Sequence, residues 1–263
     1  MTDDEHRARV RCSWDGAAEQ YDEYFVPRFA PWVAAAVAPL TSSSLTAGPI
    51  LVPCCGTFPE HRLLVDAYPD RPIVGIDLSP DMIRVARRHI GAHINVEARE
   101  GDATELSDVW IDRCAAIVSV FGLQQLPDPL AALENWTASL RPTGVLSVVY
   151  WPPSTEETGP FALLDQLAGG DAKVEADLTG DQISAVVEAA GGVLTLDVDL
   201  SFPMSHANAE TLWHAMLHGG SLRSRAIARG DAWTTDLRRR FLDAAPSGKW
   251  EHTPRARHLV IDR

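Results

Sequence analysis

The chain has 263 residues, 46% hydrophobic and 22% charged, enough apolar material for one sizeable α/β domain with an added cap. A formal net charge of -13 argues against nucleic acid and anionic membranes as partners, because surfaces that bind phosphate are basic. The four cysteines, Cys12, Cys54, Cys55 and Cys114, form no C-x-x-C pair, which excludes a disulfide framework or a zinc-site pattern.

The start, MTDDEHRARV, lacks the apolar core of a signal peptide, and no apolar run reaches the ~18 residues of a membrane span, so a cytoplasmic protein is expected. Residues 1–12 read as a frayed lead-in. From Ser13 the pattern is helical, with Trp14, Ala17, Ala18 and Tyr21 at three- and four-residue spacing. Pro27 and Pro31 are expected to break this region into two short helices. TSSSLTAG, residues 41–48, is a turn-rich connector.

A strand–helix rhythm follows. The apolar strand PILVP leads into CCGTFP and a helix from about Pro59 to Ala67. The strand PIVGID leads into a helix with Ser79 as N-cap and Pro80 at its first position. A third strand, Ile94 to Arg99, ends at Gly101-Asp102, and a fourth, AAIVSV, ends at Phe121. A helix from Pro129 to Leu140 precedes the fifth strand, VLSVVYW. This alternation predicts a parallel sheet covered by helices on both faces. Residues 152–177 are rich in Pro, Gly and acids, with a short helix near Phe161 to Leu167. A helix from Asp181 to Ala190 ends at Gly191-Gly192, and the sixth strand, VLTLDVDL, follows. Residues 201–254 carry two helical patches, within which Arg238, Arg239 and Arg240 read as a solvated helix face. RHLVID is the seventh strand. With no internal repeat or interdomain linker, residues 1–263 read as one domain.

In such a sheet, ligands sit beyond the carboxyl ends of the strands. Asp77 ends the second strand 21 positions after Gly56, the spacing at which a carboxylate accepts hydrogen bonds from ribose hydroxyls. An adenosyl ligand is implied. A dinucleotide is disfavoured, because its pyrophosphate needs a glycine-rich turn and Phe58 and Pro59 stand where small residues are wanted. Asp102 after the third strand is placed to accept from an adenine amino group. Each of these has a plainer reading: Asp77 and Asp102 as turn acids, Met82 as core. Cys54 and Cys55 read either as small buried hydrophobes or as a nucleophile, although nothing local is electropositive enough to make a thiolate. His214 and His218, four apart on a helix, form at most half of a metal site, since no third ligand accompanies them.

GIDLSPDMIRVAR, EGDATEL, FGLQQLPDP and LRPTGVLSVVYW, in that order, resemble the successive motifs of class I S-adenosylmethionine-dependent methyltransferases. WDGAAEQYDEYF resembles the N-terminal cap helix of that family's small-molecule members. The resemblance covers about residues 13–151. It implies a Rossmann-like, seven-stranded, mostly parallel sheet with a cap at 13–40, a cofactor-binding core at 49–151 and a substrate-cap insertion at 201–254. It implies S-adenosylmethionine as cofactor and a small-molecule acceptor as partner. By position, Asp77 binds the ribose, Leu78 and Met82 pack on the adenosyl group, and Asp102 and Ala103 read the adenine edge. Cys54 and Gly56 line the methionyl part, the Ser119 carbonyl faces its ammonium, and Tyr21 closes over the methyl donor. The sequence departs from the family at the first strand: an acid is usual at Val52, and glycines at Cys54 and Phe58.

Methyl transfer from a sulfonium needs alignment and water exclusion more than acid–base chemistry. Many family members have histidines where Gln124 and Gln125 stand, and Gln orients by hydrogen bonds rather than by taking a proton. Candidate catalytic residues are therefore Tyr21, His206, His214 and His218. The acceptor pocket is expected between Tyr21, Tyr24 and Phe25 on the cap side and His206, Trp213, His214 and His218 opposite, with Gln124 nearby and Trp151 as floor. Two other readings keep the fold: cleavage and cyclisation of S-adenosylmethionine with release of methylthioadenosine, motivated by the unusual first turn, and a non-catalytic binding protein.

Overall fold

A computed structural model describes residues 3–42, 44–104, 106, 108–169, 178–220 and 222–263. Of the segments singled out above, Met1 and Thr2, Ser43 of the connector, Glu105 of EGDATEL and residues 170–177 lie outside the described residues.

Successive side chains of the central strands point to opposite faces of the sheet, and both faces are buried. Ile50 and Val52 of β1 (Ile50–Pro53) face one core, while Leu51 faces the other. The other central strands are β2 (Ile73–Asp77), β3 (Val96–Glu100), β4 (Cys114–Val120) and β5 (Leu140–Tyr150). They run parallel in the order β3-β2-β1-β4-β5. The sheet is completed by β6 (Val193–Ser201) and the last strand, β9 (Arg255–Asp262), which lies antiparallel between β5 and β6. This is the seven-stranded, mostly parallel α/β sheet expected.

Helices α3 (Val26–Ser42), α4 (His61–Ala67) and α5 (Pro80–Ile90) cover one face, burying Trp32, Leu40, Leu64 and Ile83. On the other face, α6 (Pro129–Ser139) and α8 (Gly180–Ala189) bury Trp136, Leu133, Ile183 and Val187. Above the carboxyl ends of the strands stand α1 (Asp3–Trp14), α2 (Ala18–Tyr24), α7 (Pro160–Ala168), α9 (Ala209–Gly219), α10 (Leu222–Arg229) and α11 (Asp231–Ala244). No described helix is long and apolar enough to cross a membrane.

Three expectations are corrected. The lead-in is helical: α1 begins at Asp3 and rests against α10. The prolines do not break the cap; the chain bends at Phe25, and both Pro27 and Pro31 lie inside α3. Pro27 occupies the first turn, where its missing N–H has no helical partner to lose. Pro31 and Pro39 cost ladder bonds, which the burial of Phe29, Trp32, Val33 and Val37 outweighs. Residues 201–254 hold three helices rather than two, plus a ribbon of two three-residue strands, β7 (Met204–His206) and β8 (Trp250–His252), too short to show a period.

Candidate functional site

The carboxyl ends of the central strands open into a cavity of about 800 Å³. Its polar half is built by the turns after β1 and β2. Asp77 at the end of β2 is buried and anchored on two backbone donors: Gly56 N–H to Oδ2 at 2.8 Å and Ser79 N–H to Oδ1 at 2.9 Å. Burial raises its pKa from the ordinary aspartate value, and the two N–H groups oppose that rise. Each oxygen keeps a further acceptor position. Ser79 caps α5 as its sequence predicts, accepting from Met82 N–H at 3.3 Å and donating its own hydroxyl to Asp15 at 2.6 Å. Gly16 N–H donates to Asp81 at 2.8 Å, so the turn between α1 and α2 is tied to the start of α5.

The turn after β1 keeps a glycine-like backbone without the glycines. Cys54 has φ 56°, Gly56 φ 53° and Phe58 φ 67°. A left-handed conformation costs a residue with a β-carbon roughly 1–2 kcal/mol, so two such residues must be held by their packing. Room for them comes from other strands. A β-carbon at Gly122 would lie 2.3 Å from Cβ of Cys54, and one at Gly75 would meet Sγ of Cys55 at 2.8 Å and the Phe58 ring at 2.9 Å. A β-carbon at Gly56 would meet nothing closer than Tyr21 at 3.9 Å, so that position opens onto the cavity. Burial and the nearby carboxylate of Asp77 push both thiols well above the ordinary cysteine range, which fits small hydrophobes and not a nucleophile. Val52, where the family carries an acid, is fully buried in the core.

Glu60, like Phe29, Phe121 and Phe161 of the opposite wall, is a cavity residue that the sequence does not single out. It lies just before α4, is 2% exposed, lines the cavity and has one carboxylate oxygen, Oε2, without a hydrogen-bond partner. Burial pushes its pKa up to about 8. In the sequence an acid behind a proline is an ordinary helix-start signal. Only the fold shows that this one is enclosed.

The other half of the cavity is aromatic. Phe121 and Trp151 stack at 4.1 Å between centroids, and Phe29 sits edge-on to Phe121 at 4.7 Å. Phe25, Phe161 and Leu164 continue this wall. Gln124 donates from Nε2 to the Phe121 carbonyl at 2.6 Å, which leaves its buried Oε1 without a partner at the cavity. The segment 201–254 closes the top with Met216, Gly219, Gly220, Leu222 and Arg225, so it packs over the carboxyl edge of the sheet.

Tyr21, Cys54, Gly56, Asp77, Leu78, Met82, Asp102 and Ala103 all line this cavity, as do Phe25, Gln124 and Trp151. Asp102 accepts from Thr104 N–H at 2.8 Å and stands 3.4 Å from Arg7 of α1. Six expected residues lie elsewhere. Ser119 is buried, its hydroxyl donating to the Pro53 carbonyl at 2.9 Å. Tyr24, His206, His252 and Glu156 form a buried polar chain behind the aromatic wall. In it, Tyr24 Oη lies 2.8 Å from His206 Nδ1, the two histidine Nε2 atoms are 2.9 Å apart, and His252 Nδ1 is 2.7 Å from Glu156. Both ring nitrogens of His206 are engaged, and burial lowers its pKa to about 3, so it is not a base for the cavity. Trp213 packs on Phe241, with ring centroids 5.8 Å apart, inside the cap. His214 and His218 are exposed on the outer face of α9, with ring centroids 4.4 Å apart. Among the described residues no three His, Cys, Asp or Glu side chains converge as a metal site would require.

Comparison with known proteins agrees with this geometry. Residues 50–144 match a family model described as a methyltransferase domain. The same region is 35% identical over 95 residues to a demethylmenaquinone methyltransferase of Staphylococcus aureus, covering 35% of this chain and 39% of that protein. The chain thus spans about two fifths of the length of the curated relatives it matches. Among solved structures, the YcgJ protein from Bacillus subtilis superposes with a TM-score of 0.58 at 13% identity, covering 87% of this chain and 98% of that chain. A geranyl diphosphate methyltransferase in complex with GPP and sinefungin superposes with a TM-score of 0.50 at 16% identity, covering 88% and 77%. At these identities the structural likeness shows the fold. The match over residues 50–144, the motifs and the strand order together support similarity to class I S-adenosylmethionine-dependent methyltransferases in that region.

Proposed function

We propose that the chain binds S-adenosylmethionine over the carboxyl ends of β1 to β4 and transfers its methyl group to a small, largely apolar acceptor. The observation that carries this reading is one continuous cavity with two chemically different halves, Asp77, Gly56 and Met82 on one side and Phe29, Phe121, Trp151 and Phe161 on the other. The polar half fits the cofactor. Asp77 has acceptor capacity for a ribose diol, Leu78 and Met82 offer apolar surface to the adenosyl group, and Gly56 leaves room for close approach. About 800 Å³ lies in the upper part of the range for small-molecule sites, so cofactor and acceptor both have room.

When bound, S-adenosylmethionine supplies a methyl group activated by its sulfonium. The protein's part is to align and to exclude water. The aromatic wall keeps water out and holds the acceptor by its apolar body. The unpaired Oε1 of Gln124 accepts one hydrogen bond from it and sets its direction. Among the described residues no histidine lines the cavity, so His206, His214 and His218 do not serve as a base there. The relative named for demethylmenaquinone and the neighbour named for geranyl diphosphate take acceptors with large apolar parts, in keeping with this wall. The left-handed backbone retained at Cys54 and Phe58 removes the motive for a cyclising reaction.

Calorimetry with S-adenosylmethionine, S-adenosylhomocysteine and NAD tests the ligand, with binding expected for the first two alone. Incubating methyl-labelled cofactor with pooled small metabolites tests the reaction. Label in a small extractable product with matching S-adenosylhomocysteine supports it. Methylthioadenosine as the released nucleoside would sink it.

A further inference from the structure

We infer that Glu60 is the counter-charge for the ammonium group of the bound cofactor's amino-acid tail; this rests on the function proposed above. A buried carboxyl group is normally paired, because an unsatisfied one loses its hydration without return. Glu60 is enclosed, borders the cavity, and leaves Oε2 unpartnered. Among the described residues no basic group offsets its burial, which is opposed by a backbone hydrogen bond. An enclosed acceptor with no protein donor, on the wall of a ligand cavity, marks where a donor on the ligand belongs.

Position selects the ammonium. Asp77, at the end of β2, takes the ribose, and Tyr21 of the cap feels the charge of both Asp77 and Glu60. Tyr21 also lies over Gly56, the open point of the turn after β1. Glu60 stands four residues after Gly56 and acts on Cys55 within the turn. The two carboxyl groups therefore flank the turn, so that a ligand held through its ribose at Asp77 runs its tail past Gly56 toward Glu60. The only nitrogen cation on that tail is its ammonium.

The variant Glu60→Gln keeps size and polarity and matches the neutral acid that the ligand-free protein holds near neutral pH. Its affinity is compared with that of the unaltered protein for four probes: S-adenosylmethionine, S-adenosylhomocysteine, deamino-S-adenosylhomocysteine and methylthioadenosine. Affinity for the first two is expected to fall at least tenfold, as for loss of a charge-assisted hydrogen bond. Affinity for the last two, which lack the ammonium, is expected to change less than threefold. An equal fall for all four shows a structural role and overturns the assignment, as does no change for any. A fall for S-adenosylmethionine alone assigns the carboxylate to the sulfonium and also overturns it. Should Glu60→Gln fail to fold, the unaltered protein decides by proton release measured in buffers of different ionisation enthalpy. Near pH 7, S-adenosylhomocysteine should release close to one proton more than its deamino analogue. The titratable groups that feel Glu60 are Tyr21 and Cys55, and His61 is its chain neighbour; the phenol and thiol stay protonated there, burial holds His61 toward its neutral form, and Asp77 meets the same ribose in both ligands. No difference in proton release overturns the proposal. If the unaltered protein binds neither S-adenosylmethionine nor S-adenosylhomocysteine, the function itself is wrong, and this inference falls with it.

Discussion

Asp77 and Glu60 are both buried acids, but they are served differently. Asp77 holds two backbone N–H groups in place, so Asp77→Ala removes acceptors from the ribose and loosens the turn as well. Affinity for S-adenosylhomocysteine should fall at least tenfold by calorimetry; an unchanged dissociation constant would show that the ribose is held elsewhere. Glu60 instead makes a prediction about stability. Its folded pKa, about 8, lies above the 4.5 of an ordinary glutamic acid, so between those values the folded state keeps a proton that the unfolded state releases. Stability is then full below about 4.5 and falls as pH rises toward 8. His206 and His258 have the opposite sign: their pKa values are lowered to about 3 and about 4, so they destabilise as pH falls below 6.5. The Glu60 contribution is isolated by difference. Urea unfolding at pH 5, 6, 7 and 8 should show Glu60→Gln gaining on the unaltered protein as pH rises, and parallel curves would contradict the burial argument.

At the scale of elements, what holds the cap differs from what decorates it. Glu19 on α2 faces Arg84 and Arg88 of α5, and their hydrogen bonds lower its pKa to about 2, yet all three are solvent-exposed. Glu19→Ala should leave the thermal midpoint essentially unchanged, since exposed pairs contribute little. The closest approach is between α2 and α9, where a β-carbon on Gly219 would lie 2.7 Å from the backbone nitrogen of Tyr21 and 2.9 Å from the carbonyl carbon of Gln20. Those are backbone atoms and cannot turn aside. Gly219→Ala should therefore lower the thermal midpoint despite alanine's better helix propensity, at the ~1–3 kcal/mol of an overpacked contact. It should also weaken cofactor binding, because Tyr21 moves with α2. The helix α5 was legible beforehand, since Ser79, Pro80 and its apolar stripe are local signals. The role of Gly219 was not, because it depends on a helix almost two hundred residues away in sequence. Likewise α1 was hidden: it is mostly polar, its few apolar residues such as Val10 and Trp14 form no continuous stripe, and it is held by neighbours rather than by its own periodicity.

Over the whole molecule, the same division separates the two halves of the cavity. The half proposed for the cofactor comes from strand ends and the turns that follow them, so its residues sit near each other in sequence and carry motif spacing; the place of Asp77, Asp102 and Met82 on the cavity was legible for that reason. The acceptor half is assembled from α2, α3, α7, α9 and the exits of β4 and β5. An aromatic or histidine in those segments has no local mark telling cavity from core. Trp151 and Phe25 face the cavity, whereas Trp213, Tyr24 and His206, from equally aromatic stretches, are used to join the cap's own layers. If the halves are built separately, they should fail separately. Phe161 is the place to test this, because it lines the acceptor half from α7 and is only partly buried, so truncation removes wall rather than core. In protein saturated with S-adenosylhomocysteine, 1-naphthol should quench tryptophan fluorescence through Trp151. Phe161→Ala should weaken that binding several-fold, as expected when an aromatic contact is lost, while the S-adenosylhomocysteine dissociation constant stays within about twofold. If instead cofactor affinity falls in step, the two halves are one cooperative site and the acceptor cannot be changed without rebuilding the cofactor pocket.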